Sequence, residues 1–312
     1  MNPSTRFPLP PFRANPPAPA DSYIVPRLAG PEGALTLRSA RYRRFALIGA
    51  GGTGKTAALD YLARTNPNAR LVSLRDFHPQ ALPRDFQNAA WILLDDYTGE
   101  YSAYAAGLSA AFPGASLVLA ARTLEGLPEN FTALGLAPLN DREVYAFASA
   151  WFPSNAHGHG GLKMRNRAAQ AFADAVKVDV NARTLATNPL NLFLLVQLYD
   201  GLERYTETNE TESKTLIRFP TNRAELFDQY LRAVVAPETD PGFAGRALEG
   251  IALSTKRGQL AQDDHLLRGY GLLARSASGR IEFVHELIQD FLVARALRLN
   301  PDFTPLKEQL DN

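Results

Sequence analysis

The 312-residue chain reads as an α/β protein, with a parallel sheet of about five strands in its first half and helices dominating the rest. Three observations predict this. From Arg43 to about Leu136 short apolar runs alternate with helical segments, the pattern of strands covered on both faces by crossover helices. After Pro138 the strand signals fade and the apolar residues take up a helical period. Near the C-terminus a short turn and strand interrupt the helices, and helices followed by a two-stranded wing describe a winged helix. An apolar fraction of 46% is enough to bury a sizeable core, and the length suggests about two domains.

Taken in order, residues 1–20 carry seven prolines, which fix φ and remove backbone donors, so they form a polyproline-like or irregular arm. The strand candidates are Phe45–Ile48, Leu71–Leu74, Trp91–Leu94 and Leu117–Ala120, with a fifth near Leu134–Leu136. Asn140 suits the cap of a helix through Trp151, and Glu143, three residues later, completes a capping box. A second helix spans about Lys163 to Val176. A third starts at Pro189, where a missing N–H does no harm in the first turn, and ends near Gly201. The acidic stretch Glu203–Ser213 has no apolar period and reads as a solvated loop. Helical spacing resumes at Arg223–Val235 and Phe243–Thr255, then come a turn at Ser278-Gly279, a strand Arg280–Val284 and a last helix through Leu299. The resulting division is an arm (1–21), a sheet domain (22–138), a helical domain (139–214), a winged-helix domain (215–300) and a tail (301–312), with no internal repeat.

Composition narrows the classes of function. The chain has no cysteine, which excludes a disulfide framework and thiolate metal sites, and its five histidines are scattered apart from His157 and His159 in a glycine-rich loop. A formal charge of +1 offers no global excess for nucleic acid or an anionic membrane. Arg38, Arg41, Arg43 and Arg44 form a local basic cluster that reads as a solvated face. No window approaches the roughly 20 apolar residues needed to span a bilayer, and the N-terminus has no apolar signal region, so a cytoplasmic location is expected.

The sharpest signal is Gly49-Ala-Gly51-Gly52-Thr53-Gly54-Lys55-Thr56, which satisfies GxxxxGK[ST], follows an apolar strand and opens an apolar-periodic helix beginning Thr56-Ala57. Glycines let successive N–H groups and the helix N-terminus face phosphates, Lys55 adds a point charge, and the Thr56 hydroxyl can ligate Mg²⁺. The expected ligands are ATP or ADP with Mg²⁺.

A second acidic site closes the run Trp91-Ile-Leu-Leu-Asp95-Asp96. A carboxylate at the C-terminal edge of a strand facing the phosphate loop can hold Mg²⁺, which assigns Asp95. A neighbouring carboxylate can orient or deprotonate the attacking water, a role for Asp96 first and Glu100 as the alternative. The run Leu117-Val-Leu-Ala-Ala-Arg122 ends in an arginine placed where it can sense a γ-phosphate.

Together these features resemble the NACHT family of STAND NTPases, related to the nucleotide domains of NOD-like receptors and NB-ARC proteins, over residues 22 to 300. The specific part is Phe283-Val-His285-Glu-Leu-Ile-Gln289-Asp290-Phe291-Leu-Val-Ala294, which is similar to the family's F-x-H-x-x-x-Q-E-F-x-x-A. The resemblance implies that His285 touches the β-phosphate of ADP and holds a closed state. It also implies that Pro189 of Asn188-Pro189 packs on the adenine, and that Tyr23-Ile24-Val25-Pro26 lines the base. The acid motif departs from the family's D-[GAS]-h-D-E, reading Asp95-Asp96-Tyr97-Thr98-Gly99-Glu100, which leaves the catalytic carboxylate between Asp96 and Glu100.

By resemblance the chain is a nucleotide-controlled signalling switch with slow, regulatory ATP hydrolysis, self-associating in the ATP state and tied in prokaryotes to antiviral defence; its effector or sensor partner is not identified by the sequence. Two rivals stand beside it. An AAA+-like remodelling ATPase needs an arginine finger and pore loops that no motif here supplies. A nucleotide-regulated DNA-binding regulator needs a free winged-helix face, whereas Leu287, Phe291 and Leu292 of the last helix look committed to packing, so nucleic acid is not expected.

Overall fold

The computed structural model describes residues 25–30, 33–37, 42–74, 86–155, 162–208, 218–235, 241–257, 272–275, 281–283 and 285–299. The Pro-rich arm, Tyr23, Ile24, the His157 and His159 loop, the Ser278-Gly279 turn and the C-terminal tail lie outside the described residues, as do Arg38 and Arg41. The chain separates into two compact units, one comprising Asp21–Phe147 with Thr187–Leu190, the other the remainder.

The first unit is a sheet sandwiched by helices. Its elements are β1 (Arg27–Gly30), β2 (Gly33–Thr36), β3 (Arg44–Ile48), α1 (Lys55–Thr65), β4 (Ala69–Ser73), β5 (Trp91–Tyr97), a 3₁₀ turn at Gly99–Tyr101, α2 (Ser102–Ala111), β6 (Ser116–Ala121) and β7 (Thr132–Leu136). The helix α3 (Asp141–Asn155) begins in this unit. All five anticipated strands form, and they lie parallel in the order β7-β3-β6-β5-β4.

Two further strands were not anticipated. The β1–β2 hairpin pairs Leu28 with Leu35 and adds β1 antiparallel to β7, extending the sheet to seven strands. The signal was present as Gly30-Pro31-Glu32-Gly33 between two short apolar segments, a turn composition bracketing strand candidates, but each strand is only four residues long.

Alternation along the central strands explains why the sheet is buried on both faces. Phe45, Leu47, Leu93, Val118 and Ala120 pack with Ala58, Leu59 and Leu62 of α1, while Ala46, Ile92, Leu94, Leu117 and Leu119 pack with Ala105 and Leu108 of α2. Successive side chains on a strand point to opposite faces, so a continuous apolar run is what a doubly covered strand needs. β4 is the edge strand and is correspondingly exposed, with Leu71 at 39%.

The join to α3 follows the sequence closely. Asn140 accepts from the Glu143 N–H at 2.9 Å, and Glu143 Oε2 accepts from the Asn140 N–H at 2.8 Å, the reciprocal pair of a capping box. Glu143 also receives Arg27 of β1 through two bonds, Nε to Oε1 at 2.9 Å and Nη2 to Oε2 at 3.0 Å. One side chain thereby ties a helix start to a strand.

The second unit is largely helical, with α4 (Leu162–Val178), α5 (Val180–Ala186), α6 (Pro189–Thr208), whose first residues belong to the sheet unit, α7 (Arg223–Val235), α8 (Pro241–Lys256) and α9 (Glu286–Leu299), and an antiparallel pair of β8 (Leu273–Arg275) and β9 (Ile281–Phe283). An aromatic cluster of Phe152, Phe172, Tyr199 and Phe219 fills part of its core, Phe172 and Tyr199 meeting edge-on with ring centroids 5.2 Å apart. Arg295 of α9 joins Asp228 of α7 at 3.0 Å and Glu249 of α8 at 2.9 Å, so one guanidinium links three helices. Phe291 and Phe227 pack edge-on at 5.6 Å, and Leu292 is fully buried, as expected of a helix committed to packing.

α6 corrects one expectation: the acidic stretch read as a loop from Glu203 begins inside the helix, which runs to Thr208 rather than ending near Gly201. Helix propagation adds one hydrogen bond for each residue fixed, so an established helix continues through polar residues without an apolar stripe. Among the described residues no helix is long and apolar enough to cross a membrane.

Candidate nucleotide-binding site

The parallel strands β3, β6 and β5 end together, with Ile48 paired to Ala121 and Tyr97 also paired to Ala121. Residues that follow these strand ends therefore gather on the carboxyl edge of the sheet, the edge at which open α/β sheets bind ligands. The phosphate loop follows β3, Arg122 follows β6, and Asp95 and Asp96 close β5. Because β6 lies between β3 and β5, Arg122 emerges between the glycines and the acids.

The loop at 49–54 takes backbone conformations that its residues permit. Gly52 has φ of 76° and Gly54 φ of 93°, both left-handed, and a Cβ added at Gly52 would lie 2.9 Å from Leu190 Cβ. Thr53 donates its hydroxyl to the Ala50 carbonyl at 2.9 Å and stands where a Cβ on Gly49 would meet it at 2.7 Å. α1 starts at Gly54 with no side-chain cap and no acidic residue in its first turn, in contrast to the capped start of α3. Its leading N–H groups thus keep the capacity to bind an anion.

The loop is braced by the start of α6. Asn188 Nδ2 donates to the Gly51 carbonyl at 3.4 Å, the Leu190 N–H donates to the Gly52 carbonyl at 3.2 Å, and the Pro189 ring lies 3.7 Å from where a Cβ on Gly54 would be. Pro189 is therefore beside the phosphate loop. Of the segment expected to line the base, Val25 and Pro26 are described, and Val25 packs on the α1 side of the core.

Lys55 Nζ donates to the carbonyls of Gly49 at 2.6 Å and Ala50 at 3.0 Å. Burial lowers its pKa, and Arg122 lowers it further, while Asp95 and Asp96 act to raise it. Lys55 thus interacts with the other three charges of the anticipated site. Thr56, exposed at the start of α1, hydrogen-bonds Asp95, joining the two residues assigned to Mg²⁺; Ala57, next along the helix, is also exposed.

Asp95 is 8% exposed, and desolvation raises its pKa, with the Thr56 bond opposing and the nearby Asp96 adding to the shift. A buried carboxylate is costly unless a cation joins it, so the pair fits a hard divalent ion bound by oxygen. The backbone at Asp96 is left-handed, φ 56°, the one positive value outside glycine among the described residues, and the register with β6 shifts between Leu94 and Tyr97. A bulge at this point re-aims the strand end. Asp96 accepts from Ser73 of β4 at 3.4 Å, whereas Glu100 accepts the Thr98 hydroxyl at 2.8 Å in the following turn. Of the two candidates for the water, Asp96 is the one whose charge acts on Lys55 and Asp95.

His285 belongs to the other unit. Its carbonyl accepts from the N–H groups of Ile288 at 3.0 Å and Gln289 at 3.2 Å, so it opens α9, and burial lowers its pKa. Arg44 of the basic cluster donates to the Ser109 carbonyl at 3.1 Å, a structural use of one of those charges.

No protein-family model matches the chain, and no curated protein matches it in sequence. Among solved structures it is similar to a Signal Transduction ATPase with Numerous Domains (STAND) protein with a tetratricopeptide repeat sensor from Pyrococcus horikoshii, at 15% identity and a TM-score of 0.44, covering 94% of this chain and 44% of that one. The chain spans less than half the length of that structure.

Proposed function

We propose that this chain binds ATP and ADP with Mg²⁺ and works as a STAND-type, NACHT-like switch that hydrolyses ATP slowly. The observation that carries the reading is the meeting of the glycine loop, Lys55, the Thr56 and Asp95 pair, Asp96 and Arg122 at one sheet edge. Lys55 leaves the carbonyls of Gly49 and Ala50 to pair with phosphate oxygens, and the N–H groups of the loop and of α1 take the remaining charge. Thr56 and Asp95 would hold Mg²⁺, which neutralises charge on the phosphates when bound. Asp96 orients the attacking water, and Arg122 contacts the terminal phosphate.

In the closed, ADP-bound state His285 contacts the β-phosphate and the β8–β9 pair with α7 to α9 acts as a winged helix over the nucleotide, as the family resemblance implies. ATP shifts the balance to an open, self-associating state only through its different affinity for the two.

The test is nucleotide content and binding. Nucleotide released by denaturing the purified protein should be adenosine diphosphate, and calorimetry with Mg²⁺ should give heat for both nucleotides that Lys55→Ala abolishes while the variant still folds. Wild-type protein that neither carries nor binds adenine nucleotide would remove the proposal.

A further inference from the structure

The acid strand and the Arg122 loop are interlocked by contacts that serve neither the phosphate loop nor the acids directly. Tyr97, near the end of β5 and 3% exposed, donates its hydroxyl to the Gly126 carbonyl at 2.7 Å, and Ser102 at the start of α2 hydrogen-bonds the same side chain. Two residues further on, Gly99 lies against Gly126 backbone to backbone: a Cβ added at Gly126 would stand 2.3 Å from Gly99 Cα. Gly126 has φ of 67°, a conformation that side chains strain.

These contacts matter because they hold the far end of an exposed segment. Residues 122–126 are all exposed, Leu124 at 60%, so burial does not fix their path. At the near end the Gly49 N–H donates to the Ala121 carbonyl at 3.3 Å; at the far end Tyr97 and Gly99 hold Gly126. Arg122 sits between these anchors, and its charge acts on Lys55.

We propose that Tyr97, together with the Gly99 and Gly126 contact, positions Arg122 for the terminal phosphate, so that preference for ATP over ADP depends on a hydroxyl that touches neither nucleotide. The proposal rests on the reading of Arg122 as a γ-phosphate sensor. Without the hydroxyl the far anchor loosens, and the arginine loses order it needs for charge-assisted bonding. ADP has no γ-phosphate for it to meet, so ADP binding keeps its strength.

The experiment titrates full-length protein, stripped of nucleotide, with Mg²⁺ and either a non-hydrolysable ATP analogue or ADP, for wild type, Tyr97→Phe, Arg122→Ala and the double variant. Tyr97→Phe should weaken the ATP analogue about 10-fold and ADP less than about 2-fold, with the double variant no weaker than Arg122→Ala alone. Single-turnover hydrolysis should fall in parallel. A wild-type affinity ratio in Tyr97→Phe, additive losses in the double variant, or an unchanged ratio in Arg122→Ala would each overturn the proposal. Gly126→Ala, checked for folding by circular dichroism, separates the loops by a second route and should reproduce the selective loss. A wild type that binds neither nucleotide sinks the underlying reading, whereas nucleotide binding with an unmoved ratio sinks only the positioning role.

Discussion

Asp95 pairs its proposed role with an energetic liability at the scale of a single residue. Burial holds its carboxyl above the ordinary 3.8, so the folded chain keeps a proton more readily than the unfolded one, and stability falls as pH rises through that shifted range. At neutral pH the ionised group opposes folding unless a cation joins it. Asp95→Asn should therefore raise the thermal midpoint in the absence of Mg²⁺ while removing Mg²⁺-dependent hydrolysis; a lowered midpoint would contradict this account. His285 has the opposite dependence. Burial lowers its pKa from 6.5, so the unfolded chain binds the proton more readily, and the stability it contributes at neutral pH is lost as pH falls below the ordinary histidine range. Melting curves between about pH 7.5 and pH 5.5 should lose midpoint faster in wild type than in His285→Gln, and parallel curves would show that another group is responsible. The placement of Lys55 and Thr56 at a helix start and of Asp95 near a strand end was legible from spacing alone. The left-handed backbone of Asp96 was not, because a bulge arises from register against β6, which no local period records.

Among the elements, the start of α3 shows how a local motif acquires a tertiary use. The Asn140 and Glu143 box could be read from four residues, but the bidentate partner Arg27 lies on a hairpin with four-residue strands. Glu143→Ala removes a cap and a strand-to-helix tie together, and an expected loss of about 2 kcal/mol in urea unfolding follows. Glu143→Gln keeps a capping acceptor but loses the ion pair, so its loss should be smaller; an equal loss would assign the whole effect to Arg27. The central parallel strands β3, β5 and β6 were legible because double burial imposes an unbroken apolar run, whereas β1 and β2 left too short a trace. The end of α6 was misjudged because composition reports solvation, and a solvated helix is still a helix.

For the whole molecule, the proposed switch predicts linked behaviour rather than a single lost activity. His285→Ala should release ADP faster and increase self-association on size-exclusion chromatography with ATP, while Lys55→Ala should bind no nucleotide and stay insensitive to it. Unchanged ADP retention in the histidine variant would remove the lock while leaving nucleotide binding intact. Two helices, α3 and α6, belong partly to the sheet unit and partly to the helical one, and α6 bonds the phosphate loop through its first residues.

The amino-acid sequence alone determined the glycine loop between a strand and a helix, the acid pair at a strand end and the parallel character of the sheet, because each is written in contiguous residues whose spacing obeys a local period. Only the tertiary structure decided that Thr56 bonds Asp95, that Arg122 rises between the glycines and the acids, and that Tyr97 reaches Gly126. Those pairings follow from strand order and register, which arise when distant segments compete to bury the same faces, and no single segment carries that information.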